Sequence, residues 1–105
     1  MNQTIFDNYK QLTSALANHF ILMSRMGDFY EMFFDHAEKA APILGVAMTK
    51  RAGVPMCGIP YYSLELYARK LTERGFFVAV AELEETITPS SKLPVKRVIA
   101  NVFTP

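Results

Sequence analysis

Apolar residues at Ile5, Phe6, Tyr9, Leu12 and Leu16 advance by one, three, three and four positions. That spacing lines one face of a helix and predicts a first helix, with Asn2 or Thr4 as its cap and packing as its role. Asn18-His19 breaks the pattern. The unbroken apolar run Phe20-Ile21-Leu22-Met23 then predicts a strand covered on both faces. Gly27-Asp28 carries turn chemistry, and Phe33, Ala37, Ala40 and Leu44 return to helical spacing, predicting a helix from about Glu31 to Leu44. Pro42 ends or kinks that helix because it has no N–H to give, and Gly45 is its expected C-terminal cap. Val46-Ala47-Met48-Thr49 reads as a short strand. Lys50 to Pro55 reads as a basic turn, and Met56 to Tyr62 as an irregular apolar segment held extended by its prolines, forming one wall of a site.

Ser63 is the candidate N-cap of a third helix. Leu64, Tyr67, Ala68 and Leu71 share its inner face, Glu65, Arg69, Lys70, Glu73 and Arg74 face solvent, and Gly75 closes it. Phe76 to Ala81 has the β-forming content of a central strand, ended by Glu82, Glu84 and Glu85. Thr86 to Pro94 reads as a flexible loop, and Val95 to Phe103 as a last strand. The order helix, strand, helix, strand, helix, strand, strand predicts an α/β (α+β) fold. Residues 1–105 are then expected to form a single compact domain with a mixed β-sheet flanked by about three helices.

Composition narrows the function classes. With 105 residues the chain suffices for one domain, and at 50% hydrophobic it can build a core. Eleven basic and ten acidic residues leave a formal charge of +1, so no global basic field marks a nucleic-acid binder and charge placement must carry the electrostatics. The lone cysteine, Cys57, excludes an internal disulfide and a thiolate metal cluster within one chain. His19 is read as a boundary residue, with no second His or Cys at metal spacing. No apolar run reaches the roughly 20 residues of a membrane span, and the N-terminus lacks the leading basic cluster of a signal peptide. These features predict a soluble cytoplasmic protein with no membrane association and no cofactor. The sequence holds no Gly-x-x-x-x-Gly-Lys-Ser/Thr pattern, so P-loop nucleotide binding is not expected.

The stretch Arg25-Met26-Gly27-Asp28-Phe29-Tyr30-Glu31 places aromatics and acids beside a glycine after an apolar run, at what periodicity reads as a strand-to-helix junction with outward-pointing side chains. Aromatics dominate burial, so Phe33 and Phe34 are read as core and Met26 as a core filler. On pattern alone Phe29 and Tyr30 also suit a core, and Glu31 suits a first helical turn. Together with Leu44, Thr49-Lys50-Arg51, Pro55-Met56-Cys57-Gly58-Ile59-Pro60-Tyr61, Val78-Ala79-Val80-Ala81-Glu82, Pro94-Val95 and Thr104-Pro105 in order, this stretch resembles the N-terminal mismatch-recognition domain of the MutS family of DNA mismatch-repair proteins. The family's Phe-x-Glu motif matches Phe29 and Glu31.

That resemblance implies a mixed sheet flanked by helices and a non-catalytic, DNA-binding role. Its partner is double-stranded DNA with a mismatched or unpaired base. Phe29 stacks on that base and Glu31 hydrogen-bonds it, while Lys50, Arg51, Lys92, Lys96 and Arg97 are candidate contacts to the DNA backbone. Other MutS domains, or other repair proteins, are further implied partners, since family members run on past the Thr-Pro match into a connector, a lever and clamp, and an ATPase. Leu83, Tyr62 and Asn101 depart from the Gln, His and Arg common in the family. They leave open a free-standing protein-interaction or regulatory module that has lost strong DNA binding. A nuclease built on Asp28, Glu31, Asp35 and His36 is the remaining reading, because a helix would put Glu31 and Asp35 on one face as a metal pair.

Overall fold

Phe20–Met26 (β1) and Phe29–Phe33 (β2) form an antiparallel hairpin in the computed structural model, which describes residues 2–84 and 96–105. Gly27-Asp28 is thus a two-residue hairpin turn, and the expected junction to a helix comes later. The hairpin is preceded by α1 (Asn2–Ser14) and followed by α2 (Phe34–Leu44), β3 (Thr49–Arg51), β4 (Val54–Pro60), a single 3-10 turn at Tyr61–Ser63, α3 (Leu64–Thr72), β5 (Phe77–Leu83) and β6 (Arg97–Phe103). The expected loop from Thr86 to Pro94 lies outside the described residues.

Among the described residues the strands make one sheet in the order β3-β4-β2-β1-β5-β6. β1 and β5 run parallel and every other neighbouring pair antiparallel, so the mixed sheet with helical cover is as expected. Alternation along the strands divides the core in two. On one face, Ile21, Met23, Tyr30, Met32, Cys57, Ile59, Val78 and Val80 pack against Ala37, Ala40, Ala41 and Leu44 of α2 and Ala68 and Leu71 of α3. On the other, Leu22, Met26, Phe33, Ala79 and Ala81 pack under Phe6 and Tyr9 of α1. Burial pushes the Cys57 thiol up to about 11, which makes it an inert core group.

Two strands are absent from the pattern reading. β2 replaces the first turn of the expected second helix, which starts at Phe34. Phe34 takes φ 59, a left-handed turn uncommon for a bulky residue. Its ring is held 5.9 Å from Phe6 and 6.3 Å from Tyr9, with Lys10 Nζ 5.0 Å from its centroid. The strand expected over Val46 to Thr49 begins instead at Thr49, so Lys50 and Arg51 stand in β3 and the turn is Ala52-Gly53. The supposedly irregular apolar segment is β4, paired on both sides, with Pro55 and Pro60 near its two ends, where a missing N–H disturbs the ladder least.

α2 runs through Pro42 to Leu44, and Gly45 caps it in the left-handed conformation, φ 73, with its N–H donating to the Ala41 carbonyl at 2.9 Å. Ser63 precedes α3 without a side-chain capping bond.

Candidate nucleic-acid interface at the first hairpin

The tip of the first hairpin is fixed by its own backbone. Met26 and Phe29 pair across the turn, and Gly27 at φ 62 supplies the positive dihedral at the first central position that a two-residue turn of this kind needs. Side chains then brace it from the α2/α3 side. Arg25 donates from Nε to the Gly27 carbonyl at 2.6 Å, and its guanidinium lies 4.4 Å from the Tyr61 ring centroid and 5.5 Å from that of Tyr30. Tyr30 donates its hydroxyl to the Glu82 carboxylate, which lies 3.9 Å from Arg25. Burial first, and then Glu82, raise the Tyr30 phenol above its usual range. The Tyr61 N–H donates to the Asp28 carbonyl at 2.9 Å, tying the end of β4 to the turn.

On this base the alternation of β2 puts Phe29, Glu31 and Phe33 on the α1 face and Tyr30 and Met32 on the other. α1 covers that face unevenly. Phe33 is fully buried, 5.3 Å from Phe6 and 5.1 Å from Tyr9 between ring centroids, whereas Phe29 at the far end is 47% exposed. Of the side chains expected to point outward here, Phe29 does. Tyr30, expected to point outward, is buried, and so is Glu31 at 7% exposure.

Glu31 sits between Ser24 of β1 and Gly58 of β4 in register. Both neighbours are small, and a Cβ on Gly58 would make ordinary van der Waals contact with the Tyr30 carbonyl at 3.4 Å and Glu31 Cγ at 3.5 Å. From β3, Arg51 Nη1 approaches the two carboxylate oxygens at 3.3 and 3.5 Å. Burial raises the Glu31 carboxyl above its ordinary range, with Arg51 and then Arg97 opposing that shift. Arg97 opens β6 on the same face and is held twice. Its N–H donates to Asn8 Oδ1 at 2.8 Å, and its Nε donates to the Arg25 carbonyl at 2.9 Å. Burial lowers its pKa, as does the neighbouring Arg51.

The other candidates separate. Strand alternation turns Lys50 to the face opposite Arg51, so these residues do not act as the adjacent pair that a basic turn implied. Lys96 is exposed beside Arg97, and Lys92 lies outside the described residues. The nuclease set does not assemble: Glu31 is on a strand, Asp35 is on α2 and pairs with Lys39 at 3.5 Å, and His36 Nδ1 accepts the Leu22 N–H at 2.9 Å. No group of three or more His, Cys, Asp or Glu suited to a metal occurs among the described residues, and no helix there is long and apolar enough to cross a membrane. Of the departures from the family pattern, Tyr62 and Asn101 are exposed and Leu83 half-buried. Pattern reading missed Gly58, Ser24 and Asn8.

The family model described as MutS domain I matches residues 3–105. The DNA mismatch repair protein MutS of Ehrlichia ruminantium (strain Gardel) is 42% identical over 90 residues, covering 82% of this chain and 11% of that protein. Its namesake in Wolbachia pipientis wMel is 40% identical over 113 residues, covering 99% and 13%. The one in Thermosipho melanesiensis is 45% identical over 85 residues, covering 81% and 10%. The chain therefore spans little more than a tenth of the length of these curated relatives.

Proposed function

The chain belongs to the MutS domain I family, and from that membership we propose that it is a DNA-binding module that recognises mismatched or unpaired bases in a duplex. The observation that carries the reading is a half-exposed Phe29 on a braced hairpin tip, next but one to a carboxylate on the same sheet face. An aromatic wedge entering from the minor groove replaces base-base stacking with base-aromatic stacking, worth about 1–3 kcal/mol per base, while unstacking a step costs about a few kcal/mol. On normal duplex the two nearly cancel. A mispaired or unpaired base has less to lose, and the balance tips there.

Glu31 sharpens the choice. A carboxylate near phosphates is repelled, and the penalty is offset only where a base donor reaches it. Arg51, Lys96 and Arg97 lie on or beside the same face as candidate backbone contacts, with Lys50 and Lys92 as the remaining cations of the reading. The module works within a larger repair protein, whose other domains supply further grip on DNA. Alone, with near-zero net charge, it makes few counterion-releasing contacts and is expected to bind at micromolar strength or weaker, on the order of non-specific binding.

Titration against matched and mismatched duplexes at low salt tests this. Phe29→Ala is expected to weaken mismatch binding by about 1–3 kcal/mol and to remove most of the preference over matched duplex. Equal affinity of the unmodified chain for both duplexes, or a preference that survives Phe29→Ala, overturns it.

A further inference from the structure

Arg51 reaches Glu31 from the edge of the sheet, across β4. At 3.3 and 3.5 Å to the two oxygens it straddles the carboxylate loosely, compared with about 2.8 Å in a closed charge-assisted hydrogen bond. The two partners stand on unequal terms. The Glu31 side chain is 9% exposed and that of Arg51 38% exposed. Arg51 can swing toward solvent or an anion, whereas Glu31, flanked in register by Ser24 and Gly58, is largely covered. Arg97 is anchored by Asn8 at its backbone and by the Arg25 carbonyl at its Nε, and it lends Glu31 a second, more distant positive charge.

We propose that Arg51 is a positioning residue for Glu31: it holds the carboxylate in the DNA-free chain and releases it when drawn to a backbone phosphate, leaving it to a donor on an exposed base. The inference rests on the mismatch-binding reading and deepens it, since a cation on the backbone is otherwise blind to sequence. When Arg51 moves to phosphate it leaves behind a nearly buried carboxylate without its closest counter-charge, a cost incurred on any duplex. In a matched pair the base donors stay engaged with the opposite base and nothing replaces Arg51. At a mismatched or unpaired base a donor is available and takes its place. Discrimination then comes from the base donor that replaces Arg51 at Glu31, with Arg97 supplying a fixed positive background.

The test uses Arg51→Met, Arg51→Lys and Glu31→Gln. First, without DNA, NMR of the side-chain carboxyl follows the titration of Glu31. Arg51→Met is expected to move it to higher pH, and Arg51→Lys to restore it in part. Second, with DNA, Arg51→Met is expected to weaken both duplexes roughly fivefold less with Glu31 intact than in a Glu31→Gln background, because with Glu31 present the lost phosphate contact is partly offset by the unpairing cost that no longer has to be met. Arg51 stands on an edge strand, and thermal melts establish that each variant folds; Arg51→Gln replaces Arg51→Met if the latter does not. A Glu31 titration indifferent to Arg51→Met overturns the contact itself. Weakening by Arg51→Met that is the same with Glu31 intact and in the Glu31→Gln background overturns the exchange and leaves Arg51 a plain phosphate contact. If the unmodified chain shows no mismatch preference although its Glu31 titration responds to Arg51→Met, the functional reading fails, the exchange fails with it, and the ion pair stands.

Discussion

Leu22 shows how single side chains complete the sheet. β2 pairs with β1 only from Ser24 onward, so the Leu22 backbone is met by side chains instead: its N–H donates to His36 Nδ1 at 2.9 Å and its carbonyl accepts from the Tyr9 hydroxyl at 2.6 Å. The first bond needs a neutral imidazole. Burial holds the His36 pKa below its ordinary value of 6.5, so between that value and the lowered one the folded chain binds fewer protons than the unfolded chain. The stabilisation is complete above about pH 6.5 and is lost as pH falls through the folded pKa. Glu31 acts in the opposite sense. With its folded pKa above the ordinary 4.5, its contribution is present below that value and is lost as pH rises through the folded one. Urea midpoints measured from about pH 4 to 7.5 are expected to lose the His36 limb in His36→Gln while keeping that of Glu31. Phe29→Ala belongs to this scale too. A ring 47% exposed has little burial to lose, and a melting temperature lowered as far as a buried phenylalanine demands, about 3–5 kcal/mol, would mark Phe29 as core.

At the scale of elements, the β3–β4 hairpin carries an avoidable cost. Arg51 and Val54 pair across Ala52-Gly53 with φ 50 and 82, a two-residue turn with both central dihedrals positive, and alanine is a poor occupant of the first. Ala52→Asn, which gives the Asn-Gly pair such turns favour, is expected to stabilise the fold by about 0.5–1 kcal/mol, seen as a melting temperature about 2–8 °C higher. Helices were the legible part of the sequence. The spacings of α1 and α3, and the glycine closing α2, are local signals and appear where they point. β2 was misread because its apolar run Met32-Phe33 merges into the period of the following helix, and short apolar runs do not distinguish strand from helix. β4 was hidden by two prolines that in fact lie near its ends. Phe29 came to notice through the ordered motifs of a family, since periodicity alone suits it equally to a core. Burial of Glu31 could not be read at all. Its counter-ion is 20 positions away and meets it only because the sheet order sets β3 beside β4 and β4 beside β2.

For the molecule as a whole, one sheet joins segments from both ends of the described chain. β1, β2, α2, β3 and β4 follow one another through short connections, whereas the parallel β1/β5 pair and the α1–β6 contact join distant segments. Asn8 grips Arg97 from both sides, accepting its N–H at 2.8 Å and donating to its carbonyl at 3.3 Å, across a separation of 89 positions. Such a contact has a consequence for the order of folding. Closing a loop that long is entropically dear until much of the chain is already in place, so the Asn8–Arg97 clasp belongs to the descent from the transition state. Asn8→Ala is expected to speed unfolding roughly tenfold and leave refolding nearly unchanged, a φ-value close to 0 in stopped-flow chevrons. A refolding rate slowed in proportion to the lost stability would place the clasp in the nucleus. With late closure, the carboxylate of Glu31 meets Arg51 among its near neighbours early and acquires Arg97 as one of the last events of folding, so its full electrostatic environment is a property of the finished fold and absent from any partly folded intermediate.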